Sequence, residues 1–310
     1  MNHPELSVEL FPPKASANRF WRCVGQLEAL NPEFVSITCG ALASAHEPAF
    51  DTAVSVNANT RLRVCTHVTL SAFPKGRAVE AIDALYGAGI RRVMVLRGDG
   101  EHAGDSVSVA DVVDQVQRAH PLDIAVACYP ETHPMAASAA ADLDCLKQKC
   151  DAGAARAVAQ MVFSADAFLR FRDRAQAHGI DVPLHAGILP VVDFAKAKRL
   201  AAQCGAELPR AYEQAYEGTE GNGPVQRELG IAFATELSAT LAAEGVDGLH
   251  LYAMNSPGLA TELVESLAIA PNPQPVSQPA INGNSRSAQV VHASQLARAR
   301  FGLRSVVAAV

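Results

Sequence analysis

Glu9 stands inside an otherwise apolar run, Ser7-Val8-Glu9-Leu10-Phe11-Pro12-Pro13. Burial there disfavours the ionised carboxylate and lifts its pKa toward the range in which a carboxyl group serves as a general acid. A salt bridge to a basic residue of the next loop accounts for Glu9 equally well, and the sequence leaves both readings open. Arg97-Gly98-Asp99-Gly100 ends another apolar run. Its glycines let backbone approach a flat or phosphorylated ligand, and Asp99 sets a fixed negative charge beside it. Gln160 is isolated near the end of a third run. A buried amide needs partners, and because it both donates and accepts it suits the edge of a heterocycle.

Other constellations carry less. Gly98-x-Gly100-x-x-Ala103 matches a dinucleotide fingerprint by letter, but the carboxylate inside it would repel a pyrophosphate, and no clear helix pattern opens directly after it. His67, Glu131 and His133 are metal-ligating types, yet Pro130 and Pro134 bracket the second pair as a rigid turn. Such short matches arise readily by chance, so no metal is expected. No Gly-x-Ser-x-Gly elbow, Walker loop, paired Cys-x-x-Cys or zincin helix occurs.

These residues lie at the ends of eight β-rich runs, predicted as strands over Ser7–Phe11, Phe34–Thr38, Arg63–Leu70, Arg92–Leu96, Ile124–Cys128, Ala157–Val162, Leu184–Ile188 and Gly248–Tyr252. Continuous apolar runs suit strands buried on both faces, while polar groups at their C-terminal ends serve no packing purpose. Helical spacing fills most gaps, as in Trp21, Val24, Leu27 and Leu30; Gly87 and Gly89, Gly179 and Gly245 read as helix stops. Eight such repeats favour a closed (β/α)8 TIM barrel over residues 1–270 rather than an open sheet. Residues 207–226 form a longer insertion before the last strand, with Tyr212 and Tyr216 suited to the barrel mouth. Residues 271–310 turn Pro-, Ser- and Asn-rich, as a linker does. The stretch 290–310 then carries the pattern of one amphipathic helix with Arg298, Arg300 and Arg304 on its polar side. A loosely docked tail and an arm packed on a neighbouring subunit both fit it.

Lys plus Arg number 26 against 32 for Asp plus Glu, a formal charge of −6, with no basic cluster beyond pairs such as Arg91-Arg92. That excludes nucleic acid as an expected partner. The seven cysteines form an odd set without Cys-x-x-Cys, which fits a reducing compartment. The first residues lack a signal-peptide layout and no run has membrane-spanning length, so a cytoplasmic location is expected.

With these segments in view, the chain resembles the methylenetetrahydrofolate reductase family over roughly Leu6 to Ala270. The likeness rests on the order and spacing of Val8-Glu9-Leu10-Phe11-Pro12-Pro13-Lys14, Ser36-Ile37-Thr38-Cys39-Gly40, Leu96-Arg97-Gly98-Asp99, Tyr129-Pro130-Glu131-Thr132-His133-Pro134, Lys147-Gln148-Lys149-Cys150-Asp151-Ala152-Gly153 and Gly187-Ile188-Leu189-Pro190. It implies a flavin barrel that passes hydride from NADH or NADPH through FAD to 5,10-methylenetetrahydrofolate, or runs the reverse oxidation, and that assembles as a homo-oligomer. Carried over residue by residue, it implies flavin contacts at Thr38, His67, Leu96, Arg97, Gly98, Asp99, Ala127, Tyr129, His133, Asp142 and Lys149. It implies catalytic and folate-side roles for Glu9 and Asp99, and a folate-side role for Gln160.

The chain also departs from the family pattern. Ser108 stands where a Tyr is usual, Cys145 and Gln148 where Asn and Arg are usual, Lys196 for Gln, Leu200 for an aromatic and Ser256 for Arg. Lys196 is placed among the folate-binding residues as a substitute for that missing Arg. A flavin-independent reductase, a non-catalytic folate-binding paralogue and a metal-dependent barrel hydrolase are the competing expectations.

Overall fold

In the computed structural model, residues 4–13, 17–39, 47–74, 76–98 and 107–267 are described. Eight strands, β1 (Glu5–Leu10), β2 (Phe34–Ile37), β3 (Val64–Thr69), β4 (Arg92–Leu96), β5 (Asp123–Cys128), β6 (Arg156–Val162), β7 (Leu184–Ile188) and β8 (Gly248–Leu251), close into a barrel in chain order. Every pairing is parallel, and β1 meets both neighbours at Val8, opposite Val35 of β2 and Leu251 of β8. The helices between them are α1 (Ala17–Leu30), α2 (Glu47–Asn59), α3 (Arg77–Gly87), α4 (Val109–Ala119), α5 (Ala139–Asp151), α6 (Ala165–Ala177) and α7 (Phe194–Cys204). α8 (Arg210–Tyr216), α9 (Gly223–Ala243) and α10 (Pro257–Ser266) complete the set. This is the (β/α)8 barrel that the alternating pattern predicts.

Side-chain alternation along each strand separates two cores. Val8, Leu10, Val35, Ile37, Val93, Val95, Ile124 and Val126 are buried in the large cluster shared with the helices. A smaller cluster, Phe34, Cys65, Met94, Ala125 and Val158, comes from five adjacent strands and fills part of the barrel's inside. Buried among the strands are polar residues as well: Ser7, Glu9, Ser36, His67, His185 and His250.

The strand starts are closed by charge. Arg92 binds Asp123 at 2.6 Å and Glu33 at 3.2 Å, Arg63 binds Glu33 at 2.7 Å, and Arg156 reaches Glu5 at 2.6 Å and Asp123 at 2.9 Å. The Arg92 and Arg156 guanidiniums also lie 5.1 and 5.5 Å from the Phe34 ring centroid. The opposite, C-terminal end is left for chemistry.

Helix ends follow local chemistry. Ser108, Ser138, Ser164 and Asp193 accept backbone N–H bonds at the starts of α4, α5, α6 and α7, each worth about 1 kcal/mol. Gly89, Gly179 and Gly245 adopt φ of 92°, 76° and 68° after α3, α6 and α9, as expected of stops. Gly87 instead ends α3 from within. The insertion is largely helical. It contributes α8 and opens α9, and it buries Tyr212 and Tyr216 with Phe163, Leu189 and Val191, which follow β6 and β7. Its tyrosines therefore pack over that edge of the barrel mouth as core. Among the described residues no helix is long and apolar enough to cross a membrane. The expected linker and tail, 271–310, lie outside the described residues.

Candidate active site

Glu9 sits one residue before the end of β1 and is 7% exposed. Among the described residues it makes no ion pair; Lys14, the basic residue of the next loop, lies outside them. Burial alone pushes its carboxyl up to about 8, leaving it protonated at neutral pH. The Tyr252 phenol, just past β8, is held well above its ordinary range, first by burial and then by the charge of Glu9. The two groups therefore share one environment at the C-terminal end of the barrel.

Two clasps fix the backbone around Glu9. Thr38 donates its backbone N–H and its hydroxyl to the Leu10 carbonyl, both at 2.9 Å. From the far end of the chain, Asn255 accepts from Phe11 N–H at 2.7 Å and donates to Phe11 O at 2.9 Å. Asn255 does so from a left-handed backbone, φ 58°, which asparagine tolerates better than most residues.

A second sector lies where β4, β5 and α5 meet. His133 donates its backbone N–H to Asp142 at 2.9 Å, and Tyr129 meets the His133 ring edge-on at 4.5 Å. His133 Nδ1 accepts from Met135 N–H at 3.0 Å. A neutral imidazole then carries its proton on Nε2, so the 3.4 Å approach of Arg97 Nη2 to that nitrogen is a contact between two donors. Arg97's other partner is the Met135 thioether at 3.2 Å, and among the described residues no carboxylate pairs with it. Lys149 donates to Ala127 O at 2.9 Å. Cys128, Tyr129, Asp142 and Lys149 line one crevice with Arg174. Gly98, at φ 87°, closes β4 against Thr69 and Ser71, whose side chains would collide with any Cβ there. Leu96 is the last residue of β4. His67, buried in β3, has an Nε2 with no partner among the described residues, and burial pushes the ring down to about 4.

Gln160 occupies a β-bulge. β6 pairs Val158 with His185 and Met161 with Gly187, so two residues of β6 oppose one of β7. Bulges beside sites re-aim a side chain. Here Gln160 Oε1 accepts from Met161 N–H at 3.0 Å, while its amide nitrogen has no partner among the described residues. Tyr252 donates to the Ala159 carbonyl of the same bulge at 3.2 Å, crossing over Gly187. A Cβ on Gly187 would meet the Tyr252 ring at 2.7 Å and press on the Ala159 carbonyl. Gly187→Ala is expected to lower stability by about 2 kcal/mol, as overpacking does, measured by urea denaturation. An unchanged midpoint would mean that the ring is free to move aside.

Lys196 is capped through its backbone by Asp193, and its Nζ lies 3.6 Å from Met254 Sδ, beside Asn255. Asp99 lies outside the described residues. Glu131, His133 and His67 do not converge, and among the described residues no group of three potential ligands is placed to hold a metal ion.

Residues 1–268 match the methylenetetrahydrofolate reductase family. The chain belongs to that family. It is 34% identical over 271 residues to the 5,10-methylenetetrahydrofolate reductase of Escherichia coli (strain K12), covering 86% of this chain and 91% of that protein. The enzyme of the same name from Pectobacterium carotovorum subsp. carotovorum is 33% identical over 271 residues, with the same coverage. In fold, the chain is similar to an uncharacterized protein from Clostridium thermocellum that binds two copies of 5-methyl-5,6,7,8-tetrahydrofolic acid. The TM-score is 0.62 at 12% identity, covering 86% of this chain and 96% of that one. At that identity the likeness is one of architecture.

Three of the departures fall on outer positions, while Leu200 packs on the cluster under the insertion and Lys196 and Ser256 stand beside Met254 and Asn255. Cys145 and Gln148 are exposed on α5, and Ser108 caps α4. Sequence reasoning left Asn255 and Tyr252 without a role, although both stand in a polar strand end of the kind that flagged the other site residues. The signal available was an asparagine just past a strand, a residue type suited to left-handed turns.

Proposed function

We propose that this chain is a flavin-dependent methylenetetrahydrofolate reductase using NADH or NADPH. The observation that carries the reading is a carboxyl buried at the C-terminal end of β1, without an ion pair among the described residues and protonated at neutral pH.

The described residues fit FAD. Among the described residues Arg97 has no acid partner to compete with a diphosphate and the buried His67 Nε2 has no partner, while Gly98 keeps the backbone open where a side chain would close it. Thr38, His67, Leu96, Arg97, Gly98, Asp99, Ala127, Tyr129, His133, Asp142 and Lys149 would hold the cofactor. FAD, when bound, supplies hydride taken from the nicotinamide. The chain's own side chains do the rest. Glu9 gives its proton to N10 of the folate as the five-membered ring opens, and the Asp99 carboxylate steadies the positive charge that this leaves at N5. Gln160 uses its amide nitrogen on the pterin edge. Lys196 pairs with the folate's glutamate carboxylate. In the oxidative direction Glu9 takes the proton back, so the same residues serve both.

Lys196→Ala is expected to raise KM for the folate roughly tenfold, the loss of one charge-assisted bond, with KM for the nicotinamide unchanged. Steady-state kinetics against each substrate checks it, and parallel rises in both constants would remove Lys196 from the folate site.

The reading as a whole is tested by anaerobic reduction. Purified protein should be yellow, bleach with NADH or NADPH, and regain its colour on addition of methylenetetrahydrofolate. Colourless protein that still reduces the folate would select the flavin-independent variant. Coloured protein that never reoxidises with folate would overturn the substrate assignment.

A further inference from the structure

On the outside of the barrel, far along the chain from Glu9, α9 and α10 leave a groove of about 540 Å³. Ile231 and the stem of Thr235 give it apolar surface, and Glu228, Glu236 and Glu262 give it acid against the single cation Arg227. Arg227 is taken by Glu262 at 2.8 Å. Glu228 and Glu236 make no ion pair among the described residues, and the Thr235 hydroxyl is buried without a partner. Ser266, the last residue of α10, lines the same groove, so the chain that follows starts at its edge.

That following chain carries a matching pattern. Leu296, Leu303, Val307 and Val310 recur at helical spacing, and Arg300 and Arg304, one turn apart, fall along one margin of the apolar stripe. We propose that residues 290–310 seat as an amphipathic helix in the α9–α10 groove of the same chain. The apolar stripe covers Ile231, and Arg300 and Arg304 meet Glu228 and Glu236. Residues 268–289 reach far more than the groove's length at about 3.3 Å per residue. Covalent tethering keeps the segment at millimolar effective concentration beside its groove, where an untethered partner would have to compete. The occupant therefore comes from the groove's own chain, and the groove is a latch for the C-terminal segment rather than a face for a different protein.

Photo-crosslinking in the full chain tests this. Ala232, exposed on the groove, is replaced by p-benzoylphenylalanine, and the product is digested and sequenced by mass spectrometry. The expected result is a crosslink to residues 290–310 within one chain, lost in Arg300→Glu/Arg304→Glu and regained when Glu228→Arg/Glu236→Arg is added. Mixing ¹⁴N- and ¹⁵N-labelled chains separates sources. Crosslinks between labels would mean that the segment crosses to another copy and would overturn the same-chain latch. Crosslinks elsewhere, or none, would overturn the docking itself, as would a charge reversal that leaves the crosslink intact. None of the residues lining the groove is among those assigned to folate or flavin, so this outcome is independent of the proposed activity.

Discussion

Glu9→Gln should cut turnover with methylenetetrahydrofolate by about 10²- to 10⁴-fold, the usual worth of a general acid, while leaving reduction of the bound flavin by the nicotinamide near its original rate. The split follows from where a proton is needed: ring opening at N10 consumes one, and hydride arrival from the nicotinamide does not. Gln is the same size and still hydrogen-bonds, but it has no proton to give. The pH dependence sharpens the test. With the free-enzyme carboxyl at about 8, kcat/KM for the folate should be level below that pH and fall tenfold per unit above it. In Glu9→Gln the residual rate should lose this bend. Stopped-flow separation of the two half-reactions reads both outcomes. If both slow together, Glu9 acts through the fold; if neither slows, another group delivers the proton.

How much of this was legible in the sequence depends on whether a residue's role is local. Glu9 announces itself because a charge in an apolar strand conflicts with its neighbours, and Gly98 because a strand end followed by glycine invites a close approach. The strand bounds came within one or two residues, since continuous apolar runs bracketed by polar ends are a local signal. The bulge at Gln160 is not local. It exists because β6 and β7 fall out of step between Val158 and Met161 while Tyr252 reaches across Gly187 to the Ala159 carbonyl. The Asn255 clasp on Phe11 joins residues 244 apart, and only closure of the barrel brings them together. Tyr212 and Tyr216 read as mouth residues because they stand in a long Gly- and Pro-containing insertion between the last two strands. They are core because α8 stacks them on Phe194 and Phe233. Tertiary packing outweighed composition there.

Thermal stability should peak near pH 6.5 and decline on both sides, because buried groups of opposite kind titrate on either limb. His67, His185 and His250 are pushed down by burial to about 4, 3 and 3 from 6.5. Their folded values lie below their unfolded ones, so the stability they confer is complete above 6.5 and drains away as pH falls toward 3 to 4. At pH 5 each costs about 2 kcal/mol. Glu9 runs the other way. Its folded value, about 8 against 4.5, makes its contribution complete below 4.5 and lost as pH rises through 8. Between 8 and 6.5 only Glu9 gains as protons are added; below 6.5 three histidines lose against that single gain, and the balance turns. His185 is the best residue on which to test the acid limb. Neither of its ring nitrogens has a hydrogen-bond partner among the described residues. Its Nε2 stands 3.5 Å from Glu5 Oε2, but a ring held neutral makes no ion pair there. His185→Leu therefore gives up no bond and should raise stability at pH 5 by about 2 kcal/mol relative to its effect at pH 7.5. Glu9→Gln should instead flatten the alkaline limb and steepen the acid one, where the Glu9 gain partly offsets the histidines. Differential scanning calorimetry from pH 4.5 to 9 on the three proteins decides it. A melting temperature that is level down to pH 4.5 would mean that the histidines take up protons inside the barrel, and the polar interior would then be hydrated rather than dry.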